Sequence, residues 1–106
     1  MNKKTKTENF IQELYLLIDK RAKSRQKNSY TNHLLLNGSE RIAQKVGEES
    51  IELIVDYLKG RKKRIIEEAA DLIYHLVVLL YSKKISIKDI ENELLRRRKS
   101  KNVRSK

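Results

Sequence analysis

Apolar residues recur along this chain at intervals of three and four, the spacing that places them on one face of a helix. Phe10, Leu14, Leu17 and Ile18, with Ile11 and Tyr15 beside them, mark a first helix that runs out in the polar stretch 20–28, read as a frayed end and a loop. Ser29 can cap a short second helix through Leu34, Leu35 and Leu36, and Asn37-Gly38 should end it because both residues tolerate left-handed backbone angles. Ser39 is expected to cap a third helix of about 20 residues whose stripe is Ile42, Val46, Leu53, Tyr57 and Leu58, closed by Gly60. After a turn at 61–63 comes a fourth, with Ile65, Ile66, Ala69, Leu72, Ile73, Leu76, Val77, Leu79 and Leu80. Its apolar arc is so wide that it should be the most buried element. Ser86 and Asp89 have the spacing of a capping box, opening a last helix through Ile87, Ile90, Leu94 and Leu95.

Composition supports the helical reading. There is no proline and there are three glycines, so breakers are few. The 106 residues suit one hydrophobic core, and the expected fold is all-α: about five helices in a bundle around a central antiparallel hairpin. Residues 1–98 form the expected single domain, and 99–106 an expected disordered basic tail. The longest apolar run, Leu76 to Tyr81, is far short of the roughly 20 residues a membrane span needs, so no membrane association is expected and a cytoplasmic setting fits. Without cysteine, any metal must be held by oxygen or histidine.

A net charge of +11 would ordinarily suggest a nucleic-acid partner. Its distribution argues otherwise. Residues 31–95 hold ten basic and eleven acidic side chains, whereas 96–106 hold seven basic and none acidic. The excess lies at the ends, and no interleaving of basic and aromatic residues resembles a base-stacking surface.

What changes the picture is the placing of the acids. Glu48-Glu49-Ser50-Ile51-Glu52 falls on the third helix and Glu68-Ala69-Ala70-Asp71 on the fourth. Glu49 and Glu52 share a face at i,i+3, as do Glu68 and Asp71. Eight residues separate Glu52 from Gly60, and eight separate Gly60 from Glu68, so the pairs should meet at one height across the hairpin. Four carboxylates so gathered repel unless a cation is bound or some are protonated. All-oxygen ligation suits Mg²⁺, with Mn²⁺ as a substitute, and such an ion can neutralise charge on a phosphate undergoing attack by water. Asp71, set in the most apolar helix between Ala70 and Leu72, should be expensive to leave bare. The other reading of the same residues is a solvated acidic face paired with Arg41, Lys45 and Arg64.

Glu-Glu-x-x-Glu followed by Glu-x-x-Asp on two helices resembles the signature of the MazG-type nucleotide pyrophosphohydrolases. Ser29-Tyr30-Thr31, Gly38, Lys45-Val46-Gly47-Glu48-Glu49 and Glu68-Ala69-Ala70-Asp71-Leu72-Ile73-Tyr74-His75-Leu76 are similar to one branch, the phosphoribosyl-ATP pyrophosphohydrolases of histidine biosynthesis, over residues 10 to 98. The resemblance implies Mg²⁺-dependent hydrolysis of phosphoribosyl-ATP to phosphoribosyl-AMP and pyrophosphate. It implies Glu49, Glu52, Glu68 and Asp71 as metal ligands, with Glu48 and Glu49 as catalytic acids, Glu48 as a further ligand or a group that orients water. It also implies a homodimer or dimer of dimers, which the wide apolar arc of the fourth helix favours independently. Ser50, where many relatives carry alanine, and the basic tail depart from the pattern. A housekeeping nucleoside-triphosphate pyrophosphohydrolase is the alternative within the superfamily, and a small basic nucleic-acid-binding protein the alternative outside it.

Four further residues are candidate substrate contacts. Lys45, one turn before Glu49, can neutralise phosphate oxygens or simply pair with Glu49. His75, one turn after Asp71, can reach a phosphate, hold a ligand carboxylate or be a buried structural histidine. Ser29 and Thr31 can touch substrate by the resemblance, or serve as caps. Tyr74 reads as core, and Arg61 to Arg64 as a solvated turn.

Overall fold

The computed structural model describes residues 9–24 and 29–99. These form α1 (Phe10–Lys23), α2 (Tyr30–Asn37), α3 (Ser39–Lys59), α4 (Lys62–Ser82) and α5 (Ile87–Lys99), with no strand among them. The fold is all-α, as the periodicity requires. Residues 100–106, most of the expected basic tail, lie outside the described residues, as does 25–28 of the first loop. Lys99 is the last residue of α5.

Local signals account for several helix ends. The Ser29 side chain accepts from the Asn32 amide at 3.0 Å, and Gly60 closes α3 at φ 69°, where a side chain would strain the backbone. Ser86 and Asp89 exchange reciprocal bonds, each 3.1 Å, between side chain and amide. The start of α3 differs from expectation. Ser39 is already helical, the capping position belongs to Gly38 at φ 90°, and no side chain caps that end. One glycine serves both as the stop of α2 and as the start of α3, which leaves no separate position for a serine cap.

The core is small and off-centre. Ile18 of α1, Leu34 of α2, Ile42 of α3 and Val77 and Val78 of α4 are buried together, with Leu14, Tyr15, Leu35, Tyr74, Leu79 and Tyr81 packed around them. The Tyr81 hydroxyl donates to Asp19 at 2.7 Å, and its ring meets Tyr15 edge to face. The core thus uses the start of α3 and the end of α4. The rest of the hairpin reaches beyond it. Tyr57 and Leu58, expected on the buried stripe of α3, are 68% and 76% exposed, and Ile66, Ile73 and Leu76 of α4 are also exposed. α4 carries more buried residues than any other helix, Glu68, His75, Val77 and Val78, as its wide arc predicts, yet part of that arc is uncovered. Among the described residues α1, α2 and α3 pack against it, and they cover one side of its arc. Among the described residues no helix is long and apolar enough to cross a membrane.

Candidate metal centre

The short connection through Gly60 and Arg61 folds α4 back along α3, and these two helices share the most extensive contact in the fold. Glu49 stands midway along α3, and Glu68 and Asp71 stand at the matching height on α4. One carboxylate oxygen from each of the three lies within 4.8 Å of the others. The equal spacing on either side of Gly60 has the effect that counting predicts. Glu49 and Glu68 are buried, at 7% and 3% exposure, while Asp71 is exposed. The expectation that Asp71 is the costly buried charge is thus corrected: α4 turns its 70–71 edge to solvent and its 68 edge to α3.

Glu52 is exposed and outside that close trio, yet near enough for its charge to act on Glu68. Glu48 is also exposed and turns away, accepting from Gln44 at 3.0 Å and lying 3.6 Å from the Lys45 ammonium. Lys45 bridges Glu48 and Glu49, the latter at 3.5 Å. Burial pulls the Lys45 pKa down, but the Tyr30 hydroxyl, Glu49 and Glu48 outweigh it and hold the ammonium above its usual range. On the other helix Arg64 donates to Glu68 Oε2 at 2.6 Å. Both readings of these acids, solvated pairs or a metal site, therefore meet in the same residues.

The remaining oxygens decide what the site can hold. Glu49 Oε1 and Glu68 Oε1 are buried and have no hydrogen-bond partner. A buried acceptor left unpartnered costs about 1–3 kcal/mol, more when charged, so two together are a defect unless something cationic meets them. A hard divalent cation fits the donor set, which is all carboxylate. Burial first, then the neighbouring Glu52 carboxylate, raise the Glu68 carboxyl to about 7, with the Arg64 guanidinium opposing.

Around this centre the second group of candidates forms a wall rather than a rim. His75 is buried, its Nδ1 2.7 Å from the Asp71 carbonyl oxygen and its Nε2 2.7 Å from the Tyr30 hydroxyl. A carbonyl only accepts, so Nδ1 carries the proton and Nε2 is free to accept from Tyr30. Tyr30 also stacks on Tyr74, whose hydroxyl bonds the fully buried Thr31. Ser29 is engaged in its cap. The structure thus gathers Lys45, Glu49, Glu68 and Asp71, places Glu52 adjacent, and sets Glu48, Ser29, Thr31 and His75 in other contacts. Sequence reasoning overlooked two residues. Tyr30 anchors His75, and Asp56, 4% exposed, binds Arg61 at 2.5 Å. Asp56 could have been found as the continuation, at i+4 from Glu52, of the acidic stripe on α3.

The fold and this centre define a class: an all-α protein whose helix hairpin presents a carboxylate site competent to hold a metal ion. Residues 11–98 match the family described as phosphoribosyl-ATP pyrophosphohydrolase, and the chain belongs to that family. It is 46% identical over 89 residues to a phosphoribosyl-ATP pyrophosphatase of Clostridium novyi, covering 84% of this chain and 81% of that protein. It is 47% identical to one of Saccharolobus solfataricus, covering 84% and 95%. A histidine biosynthesis bifunctional protein of Bacteroides thetaiotaomicron is 45% identical over 86% of this chain, which spans 45% of that longer relative.

Proposed function

We propose that this protein hydrolyses phosphoribosyl-ATP between its α and β phosphates, releasing phosphoribosyl-AMP and pyrophosphate, with Mg²⁺ held by Glu49, Glu68 and Asp71 and approached by Glu52. The observation that carries the reading is the pair of buried, unpartnered carboxylate oxygens within one trio of acids, on a chain of this family. When bound, the ion supplies a charge that neutralises phosphate oxygens and acidifies a coordinated water. The protein's own part is to hold the three carboxylates at fixed height on two packed helices. Lys45, ion-paired and only one-fifth exposed, offers a second positive charge beside them for the polyphosphate. Glu48, one residue before Glu49 and held by Gln44 and Lys45, is the motif acid left to orient water. Purified protein should release pyrophosphate from phosphoribosyl-ATP only with Mg²⁺ or Mn²⁺, and ordinary nucleoside triphosphates should be poor substrates. Equal turnover of ordinary triphosphates would instead assign it the housekeeping role, and a cytoplasmic location suits either substrate.

The uncovered half of the hairpin supports a homo-oligomer, a dimer or a dimer of dimers. Ile54, Val55, Tyr57, Leu58 and Ile66 are exposed on its two helices, a concentration of apolar surface that a monomer rarely leaves to water. A second copy of the hairpin is self-complementary to it under twofold symmetry. Sedimentation should give a multiple of the 12.6 kDa chain mass, and Ile54→Glu should shift it to a single copy. A monomeric parent protein would refute this.

A further inference from the structure

The two buried carboxylates of the centre are held in the same way. Each has its Oε2 on a cation of its own helix, Lys45 for Glu49 and Arg64 for Glu68, and each leaves Oε1 buried and unpartnered. Arg64 belongs to the turn that the sequence presents as solvated, and the proposed reaction makes no use of it. Its guanidinium nevertheless spans three acids: Nη2 to Glu68 at 2.6 Å, Nη1 to Glu67 at 2.8 Å, and Nε to Asp56 of the opposite helix at 3.9 Å. The Glu68 and Asp56 side chains are 4% and 6% exposed. An exposed ion pair contributes little, but here the acid partners are desolvated and the shortest bond is a charge-assisted one. A planar fork on several acceptors also fixes direction, which a point charge does not. Asp56 is in turn held by Arg61 at 2.5 Å, so the guanidinium leans on a fixed anchor across the hairpin.

We infer that Arg64 is a positioning residue for the metal centre: by binding Glu68 Oε2 while braced against Asp56, it holds the carboxylate with Oε1 turned toward Glu49 and Asp71. The inference rests on reading those three acids as the metal ligands. It makes a prediction opposite in sign to simple electrostatics. At a pH where Glu68 is ionised with or without Arg64, a cation beside the site only repels an incoming cation, so an Arg64 that acted by charge alone would weaken metal binding, and its removal would strengthen it. An Arg64 that orients a ligand strengthens binding, and its removal weakens it.

Mn²⁺ binding to the full chain, without substrate, separates these by titration of free Mn²⁺ from its paramagnetic resonance signal, with circular dichroism as the check on folding. Arg64 is half exposed, so its variants should keep the fold. Arg64→Ala should raise the Mn²⁺ dissociation constant by about 10–100-fold, the range usual for partners that orient a ligand. Arg64→Lys, which keeps the charge but not the fork, should also weaken binding. Asp56→Asn should act in the same direction, and adding it to Arg64→Ala should weaken binding no further, because it works through Arg64. Unchanged or tighter binding in Arg64→Ala, or full affinity in Arg64→Lys, would overturn the orienting role. A parent protein that fails to bind Mn²⁺ at all would remove the metal centre itself, an outcome distinct from a parent that binds and variants that match it.

Discussion

Glu49→Gln and Glu68→Gln should each lower Mg²⁺-dependent pyrophosphate release by at least about a hundredfold, beyond the 10–100-fold usual for partners one step from a metal. Metal-free Glu68→Gln should at the same time be as stable as the parent, or more so. Both parts follow from the same geometry. Each glutamate has a buried Oε1 with no hydrogen-bond partner, and each sets one carboxylate oxygen within 4.8 Å of those of the other acids in the trio. A residue that only supported the fold would have those oxygens satisfied, and its removal would cost stability. At Glu68 the ionised form is disfavoured in the metal-free protein, as its upward shift to about 7 records, so a neutral isostere there removes repulsion and keeps the shape. Steady-state assays with phosphoribosyl-ATP, paired with thermal melts in a chelator, test this. A variant that loses both activity and several degrees of melting temperature would make the acid structural.

The metal-free protein should lose stability as pH rises from about 4.5 to about 7, and Mg²⁺ should abolish the loss. In the unfolded chain Glu68 titrates near 4.5, whereas in the fold it holds its proton to about 7. Below 4.5 both states are protonated and there is no penalty. Between the two values the unfolded state releases its proton first, so the stability present at low pH is lost as pH climbs through the folded pKa. Bound metal takes the ionised carboxylate, so the apparent affinity should increase over the same window, with proton release on binding. Glu93, drawn down to about 2 by bonds from Arg96 and Arg97, contributes stability that is lost only as pH falls below 4.5, and does not mask the effect. Melting curves from pH 4.5 to 8, with chelator and with Mg²⁺, are the measurement. A chelated protein with a flat or rising curve across that window would contradict the shift.

Much of this molecule was legible before any fold. Helix periods, the Ser29 cap, the Gly60 stop and the Ser86–Asp89 box are signals carried within a few residues, and local backbone physics acts on them wherever the helix later packs. The facing of Glu49 with Glu68 and Asp71 was legible for the same reason, because a hairpin with equal arms needs only counting. The expected burial of Asp71, Tyr57 and Leu58 was not met, because burial depends on how far each helix rotates about its axis and on which neighbours exist to cover it. Asp71 lies on the solvent edge of α4, and Tyr57 and Leu58 on a stretch of hairpin that the core does not reach.

The sequence by itself therefore determined that this is an all-α chain with acids paired along two helices, because helical geometry sets positions three and four residues apart. Only the tertiary structure decided which acids are desolvated, which oxygens are left without a partner, and that Arg64 and Asp56 brace one of them. Those properties depend on packing between helices, which excludes water from Glu49 and Glu68 and brings Asp56 of α3 beside Arg64 of α4, although the cations on the two Oε2 atoms come from one turn away on the same helix.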